Sequence, residues 1–213
     1  MINCFKLMLM LFAVSSGVAD AGLINANFET GDLTGWTDST SGLALVVTSE
    51  VGEFGIYTPA VGNYFLAITA GAVDVWQTVS QSVTMGVGDT LSGWAAFDWH
   101  DYVPYLDGAR VQITDANGVV ATPFFAQGAV GQDYADYAPV FWSWTATMAG
   151  TYTLEYSVRN TLDSALSSTG LFDADLINDE QTVVPEPSSL ALLGPGVTGL
   201  YGYGCRRKRR LAA

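Results

Sequence analysis

Apolar and polar residues alternate with a period of two through much of the middle of the chain. The clearest case is segment 151–159, whose odd positions are polar and whose even positions are apolar: Tyr152, Leu154, Tyr156 and Val158. A period of two places successive side chains on opposite faces of an extended strand. The segment therefore predicts a β-strand with one buried face.

A similar apolar face precedes this strand, with the members Val140, Trp142, Trp144, Ala146 and Met148. Because Ala149-Gly150 separates the two runs, we expect them to form a hairpin. Another hairpin is expected around the turn sequence 115–118 (Asp-Ala-Asn-Gly), which joins the alternating segment 109–114 to residues 119–125. Five further segments are predicted to be strands: 43–48, 64–69, 75–83, 90–98 and 171–177.

No long stretch between residues 22 and 177 has the 3.6-residue period of an amphipathic helix. Eight or more strands with one apolar face each need a second layer to bury those faces. The sequence therefore predicts an all-β domain at 22–177, an antiparallel β-sandwich of jelly-roll-like type.

The first 21 residues have a different character. Lys6 precedes an apolar run at 7–14, and small residues follow, ending in Ala19-Asp20-Ala21. These are the parts of a secretory signal peptide, for which we expect a helix and cleavage after Ala21 or, alternatively, after Ala19. An uncleaved anchor is the other interpretation, but the apolar run is short for crossing roughly 30 Å of hydrocarbon.

The C-terminus has three consecutive parts. A polar linker at 178–189 contains Pro185-Glu186-Pro187, an apolar and glycine-rich segment at 190–205 is predicted to be a short helix, and the tail 206–213 is basic through Arg206, Arg207, Lys208, Arg209 and Arg210. Basic residues beside a membrane segment remain on the cytoplasmic side, so the domain is expected outside. Pro195 interrupts the apolar segment and makes it a poor permanent span.

These three parts, in this order, resemble the PEP-CTERM sorting signal. The resemblance covers residues 183–211. It implies that an exosortase-type enzyme recognises Pro185-Glu186-Pro187, removes the tail, and releases or attaches the domain. The chain would then be anchored transiently in the inner membrane, and would act at the cell surface or in an exopolysaccharide matrix.

Charge is distributed unevenly along the chain. Residues 22–184 contain 19 acidic residues and only two basic ones, Arg110 and Arg159, for a net charge of −17. Such a domain repels phosphate backbones, which argues against nucleic acid as a partner. The two cysteines, Cys4 and Cys205, lie outside the domain, so it contains neither a disulfide nor a cysteine nucleophile.

A second resemblance concerns the two ends of the domain. Segment 25–36 (Asn-x-x-Phe-Glu, then Gly-Trp) is similar to the opening of many jelly-roll carbohydrate-binding modules, and the acidic pair at 173 and 175 to their last strand. In those modules the first and last strands lie side by side and a structural Ca²⁺ bridges them. The resemblance implies a Ca²⁺ site formed by Glu29, Asp173 and Asp175, whose oxygens suit that ion. Solvated carboxylates on an acidic surface are the alternative.

Segment 98–107 interrupts the alternation and is predicted to be a loop. Trp99, Tyr102 and Tyr105 lie in it among carboxylates, and a similar cluster occurs at 133–137. Aromatic rings stack on sugar C–H surfaces while carboxylates accept sugar hydroxyls, so these residues are predicted to bind glycan. The alternative is that the rings close the end of the core.

Catalysis has little support. His100 is the only histidine, which excludes a multi-histidine metal site, and neither H-E-x-x-H nor G-x-S-x-G occurs. A local Asp–His pair with Asp98 or Asp101 is more often a hydrogen bond than part of a triad. We therefore predict a non-enzymatic structural or adhesive protein without catalytic residues. The alternative is a specific lectin or a carbohydrate-active enzyme, such as a two-carboxylate glycosidase.

Mass spectrometry of the mature protein tests the two terminal signals. We expect a chain that begins at Gly22, or at Asp20 if cleavage follows Ala19, and that lacks Arg206–Arg210 because processing occurs near Pro185-Glu186-Pro187. Replacing Glu186 with Ala should retain the basic tail on the product. A wild-type product with an intact basic tail would instead indicate a plain membrane anchor.

Overall fold

The computed structural model of the chain describes residues 22–59 and 62–173. This part contains twelve strands, which are β1 Thr37–Asp38, β2 Ala44–Val47, β3 Glu50–Val51, β4 Ile56–Tyr57, β5 Phe65–Thr69, β6 Gln77–Met85, β7 Thr90–Trp99, β8 Gly108–Asp115, β9 Gly118–Gln127, β10 Ala135–Thr145, β11 Gly150–Arg159 and β12 Thr169–Asp173. The terminal helices predicted for 1–21 and 190–205 lie outside the described residues, as do the linker and the basic tail. Within the described ranges, no helix could cross a membrane.

The strands form two five-stranded sheets and a small hairpin. The first sheet has the order β1-β6-β11-β8-β9, and the second has the order β10-β7-β12-β5-β2. Strands β3 and β4 form the separate hairpin. Every strand pair is antiparallel. Side chains from both sheets form the main buried core, which confirms the predicted all-β sandwich.

Aromatic rings join the two sheets at the centre of this core. Tyr156 of β11 stacks on Phe172 of β12, with ring centroids 4.7 Å apart and planes 17° from parallel. Trp36 stacks on Tyr156, with ring centroids 5.3 Å apart and planes 26° from parallel. Large buried rings contribute much of the apolar area that a core removes from water. Tyr156 therefore links rings from both sheets and from the segment before β1.

The segment 25–36 supplies two of these rings. It is a series of turns rather than a strand, and it buries both Phe28 and Trp36. The indole nitrogen of Trp36 donates to the carbonyl of Asn25 at 3.0 Å, and the side chain of Asn25 accepts from the amide of Thr30 at 3.1 Å. The Asn-x-x-Phe and Gly-Trp spacing thus has a structural role, since it closes a loop that inserts two rings into the core.

The hairpin predicted for residues 140–159 is wrong. Strand β10 pairs with β7 in the second sheet, whereas β11 pairs with β6 and β8 in the first. The connection at 146–149 therefore crosses from one sheet to the other. The crossing places the apolar faces of β10 and β11 opposite each other, so that Trp142 meets Tyr156 edge-on at 6.3 Å. In a hairpin both faces would lie side by side and would need another layer to cover them.

The other predicted hairpin, between β8 and β9, is confirmed. Asp115 pairs with Gly118, and the carboxylate of Asp115 accepts the amide of Asn117 at 2.7 Å. Gly118 has φ +118°, a conformation that glycine adopts without strain.

The two long edge strands both contain a proline. Strand β9 is an edge of the first sheet and contains Pro123, while β10 is an edge of the second sheet and contains Pro139. The pairing register shifts next to each proline, between Val111 and Ile113 opposite β9 and between Tyr137 and Val140 in β10. Edge strands tolerate proline because one side of the ladder is free.

Replacing Tyr156 with Ala should destabilise the domain by about 3–5 kcal/mol, because it leaves a cavity where rings from both sheets meet. Chemical denaturation of the purified chain measures this change. Phe54→Ala is the matched control, since Phe54 is 72% exposed and its loss should change stability by about 0.5 kcal/mol or less. Equal effects of the two substitutions would contradict this account of the core.

Candidate functional site

Three tyrosines form a cluster at one end of the sandwich, which we call the tyrosine patch. Tyr102 and Tyr105 lie in the loop between β7 and β8, and Tyr134 lies directly before β10. The ring of Tyr102 meets that of Tyr105 edge-on, with centroids 5.3 Å apart, and is tilted against that of Tyr134, with centroids 6.5 Å apart. Tyr102 is 43% exposed. Two separate predictions, the loop 98–107 and the cluster at 133–137, thus contribute to one surface.

Backbone hydrogen bonds hold the patch together. The amide of Tyr134 donates to the carbonyl of Asp101 at 2.8 Å, which joins the two loops. The amide of Tyr105 donates to the carbonyl of Tyr102, also at 2.8 Å. The carboxylate of Asp101 is buried and accepts the amide of Tyr102 at 2.8 Å. The relative positions of the rings are therefore set by main chain rather than by the rings alone.

Carboxylates surround the tyrosine patch. Asp133 accepts the amide of Val103 at 3.4 Å. The negative charge of Asp163 raises the pKa of the Tyr105 hydroxyl. Burial raises the pKa of Asp101. The patch thus presents apolar ring surface next to carboxylate oxygens that can accept hydrogen bonds.

Trp99 does not belong to this surface, which corrects the sequence prediction. Its side chain is fully buried, and its indole nitrogen donates to the carbonyl of Tyr105 at 3.1 Å. Strand β7 continues to residue 99, one residue beyond the predicted end, so that Trp99 shares the inward face with Leu91, Ala95 and Phe97. A buried indole cannot stack on a sugar, but it supports the loop that carries Tyr105.

The two proposed calcium ligands that the structure describes lie in different elements, Glu29 in the turns before β1 and Asp173 at the end of β12. Glu29 accepts the amides of Asn63 and Tyr64 at 2.8 and 3.0 Å, and these bonds lower its pKa. Asp173 is buried at the end of β12, in the middle of the second sheet. Asp175 lies outside the described residues. Strand β1 is in the other sheet, so the first and last described strands do not lie side by side.

Across 22–59 and 62–173, no three Asp, Glu, His or Cys residues come together in a way that could hold a metal ion. Calcium binding at Glu29, Asp173 and Asp175 stays a prediction.

A second cluster of titratable groups contains the local pair of Asp98 and His100 considered from the sequence, together with Asp136, which the sequence did not connect to them. Asp98 on β7 and Asp136 on β10 lie directly opposite each other in the ladder. Oδ2 of Asp98 is 2.6 Å from Nε2 of His100. Burial, followed by a hydrogen bond with Asp98, raises the pKa of Asp136 to about 6. The hydrogen bond to Asp98 also raises the pKa of His100.

This carboxyl pair holds the β3–β4 hairpin. Asp136 accepts the amides of Glu53 and Phe54 at 3.0 and 2.9 Å, and Asp98 accepts the amide of Glu53 at 3.3 Å. Tyr57, which follows in β4, donates to the carbonyl of Tyr137 at 3.4 Å. Sequence could place each carboxylate on a strand but could not pair them, since the partners are distant in the chain and depend on register.

Asp107 is a further buried acid with a structural role. Its carboxylate accepts the amide of Thr161 and the hydroxyl of Ser168, each at 2.7 Å. Burial raises the pKa of Asp107 to about 6 despite these bonds. The residue ties the end of the tyrosine loop to the segment between β11 and β12.

The raised pKa values make stability depend on pH in one direction. An acid whose pKa is higher in the folded state than in the unfolded state stabilises the folded state while it is protonated. The contribution of Asp107 and Asp136 to the free energy of unfolding is therefore lost as pH rises from about 4 through about 6. The raised pKa of His100 has the same sign. Thermal unfolding should therefore occur at a midpoint roughly 2–4 °C or more higher at about pH 5 than at about pH 8.

Asp107→Asn mimics the protonated side chain and should reduce this pH dependence. Asp74→Asn is the control, because Asp74 is exposed and the substitution removes the same charge. An equal effect of both substitutions would attribute the dependence to net charge alone.

No protein-family model matches the chain. No curated protein matches it either. Among solved structures it is similar to the enzymatically active domain of bacteriophage CBA120 tailspike protein 4, at 13% identity and a TM-score of 0.43, over 74% of this chain but only 22% of the tailspike. It is also similar to TmCBM61 in complex with beta-1,4-galactotriose, at 16% identity and a TM-score of 0.41, and the match covers 74% of this chain and 97% of that module. A third similar structure is the K1 cleaved adhesin domain of Lys-gingipain from Porphyromonas gingivalis W83, at 10% identity and a TM-score of 0.42, and the match covers 72% of this chain and 96% of that domain. These low values assign the chain neither a ligand nor an activity.

Proposed function

We propose that this chain is an exported, non-enzymatic component of the cell surface or exopolysaccharide matrix, and that its domain binds glycan weakly through the tyrosine patch. The observation that carries the binding proposal is the grouping of Tyr102, Tyr105 and Tyr134 beside carboxylates. The exposed ring of Tyr102, flanked by the partly exposed rings of Tyr105 and Tyr134, provides an apolar surface for sugar C–H groups, and the acids accept sugar hydroxyls. The patch is small, which is consistent with weak binding.

The sorting part of the proposal rests on sequence. Residues 1–21 would direct export, and an exosortase-type enzyme would process the chain at Pro185-Glu186-Pro187. The domain would then be released, or attached within the matrix.

The carboxyl pair of Asp98 and Asp136 supports a non-enzymatic role. Paired glycosidase carboxyls are separated by about 5 Å or more so that substrate fits between them. Here Asp98 and Asp136 lie directly opposite each other in the ladder, and backbone amides of the β3–β4 hairpin donate to both carboxylates. Of the alternatives to a structural role, the patch favours a lectin over a glycosidase.

Titration of the purified full-length chain with exopolysaccharide fragments from its own host tests the binding proposal. Replacing both Tyr102 and Tyr105 with Ala should weaken binding about tenfold or more, because the ring surface is lost. Phe141→Ala is the matched control, since Phe141 is 53% exposed on the second sheet and should leave affinity unchanged. Absence of wild-type binding at about 1 mM glycan, or equal binding by the tyrosine variant, would refute the proposal.

A further inference from the structure

The two arginines of the domain lie together on the outer face of the first sheet. Arg110 is on β8 and Arg159 is the last residue of β11, the neighbouring strand. In the ladder Arg159 lies opposite Gly108, two residues before Arg110 on the same face. Between residues 22 and 184 these are the only lysine or arginine side chains. Their meeting is therefore the one concentration of positive charge in an acidic domain.

Trp76 lies against both arginines. The guanidinium carbon of Arg110 is 4.0 Å from the centroid of the Trp76 ring, and that of Arg159 is 4.8 Å from it. The edge of the Trp76 ring lies over Gly108, at 3.8 Å from the point that a Cβ atom of this residue would occupy. The ring thus holds the two like charges in place through cation–π contacts.

Neither arginine forms an ion pair within 4.0 Å in the part of the chain that the structure describes. The only ion pair found there within 4.0 Å joins His100 and Asp98. Neither arginine Nε has a hydrogen-bond partner among the described residues. Burial lowers the pKa of Arg110, while the charge of Glu155 acts in the opposite sense. The charge of Glu155 thus offsets part of the charge of Arg110, but no carboxylate of the described residues lies within 4.0 Å of either guanidinium group, so an external anion can pair with them.

Phe125 gives this surface an apolar side. It lies directly opposite Arg110 in the ladder between β8 and β9, and it is 54% exposed. An exposed ring beside two planar guanidinium groups can contact a sugar ring while the arginines bind its charged group. Guanidinium donors match a carboxylate in bidentate geometry.

We propose that Arg110, Arg159, Trp76 and Phe125 form a binding subsite for the carboxylate of an acidic sugar, such as a uronic acid residue of a glycan. The subsite is on the sheet face and does not depend on the tyrosine patch. Long nucleic acids do not fit it, since the net charge of −17 over residues 22–184 repels them. In about 0.15 M salt the Debye length is about 8 Å, so distant carboxylates of the domain oppose a single local contact only weakly.

Calorimetric titration of the purified mature protein with an oligogalacturonate tests the subsite, because the proposed processing removes the basic tail Arg206–Arg210, which would itself attract a polyanion. The matched ligand is the same oligosaccharide with its carboxylates reduced to alcohols. We expect the reduced ligand to bind about tenfold more weakly or worse, because it lacks the group that the arginines recognise. Equal binding of the two ligands, or no wild-type binding at about 1 mM oligogalacturonate, would overturn the proposal. This ligand comparison requires no variant.

Variants locate the site. Replacing Arg110 and Arg159 together with Gln should abolish the preference for the acidic ligand, whereas replacing both with Lys should retain part of it. Tyr102→Ala should leave the preference unchanged, which separates this subsite from the tyrosine patch. If the folded Gln variant keeps the preference, or if Tyr102→Ala removes it, the subsite is not at these arginines. Sodium sulfate at equal ionic strength distinguishes a general anion site, since competition as strong as that of free galacturonate would contradict carboxylate recognition.

Discussion

The stacking of Tyr156 between Trp36 and Phe172 is the contact on which the rest of the structure depends. The domain contains no cysteine, so no covalent link holds its sheets together. Burial of large rings must supply the stability that many exported domains obtain partly from disulfides. The ring contacts also determine topology, because β11 can meet Trp142 only if β10 lies in the opposite sheet.

Some aromatic rings of the domain lie outside the core and are accessible at its surface. The tyrosine patch lies on loops at one end, supported from inside by the buried Trp99. Acids fix neighbouring segments, the buried Asp107 below the tyrosine loop and the half-buried Asp136 below the β3–β4 hairpin. These acids are in environments that favour the neutral form, so a strongly acidic chain keeps part of its formal charge out of its interior.

Alternation of apolar and polar residues predicted most strands because each strand buries one face, and this burial determines the residue types within the strand itself. The hairpin at 140–159 failed because Ala149-Gly150 indicates a turn but does not indicate whether the chain returns to the same sheet. Trp99 was misassigned because the strand boundary was placed one residue too early, and alternation within the longer strand turns position 99 into the core. Tyr102 and Tyr105 were found as neighbours in one loop. The pairing of Asp98 with Asp136, and of Arg110 with Arg159 around Trp76, depends on register between distant strands, which no local pattern contains.

The prolines of the two long edge strands affect how copies of this domain can meet one another. Pro123 and Pro139 each remove a backbone donor from an edge, and the register shifts beside them distort the ladder. A second strand therefore finds no continuous row of backbone groups to extend on β9 or β10. Copies of the domain at high concentration are thus discouraged from pairing along these edges into fibrils, and contacts among them would be made by side chains, whose chemistry can be selective and reversible.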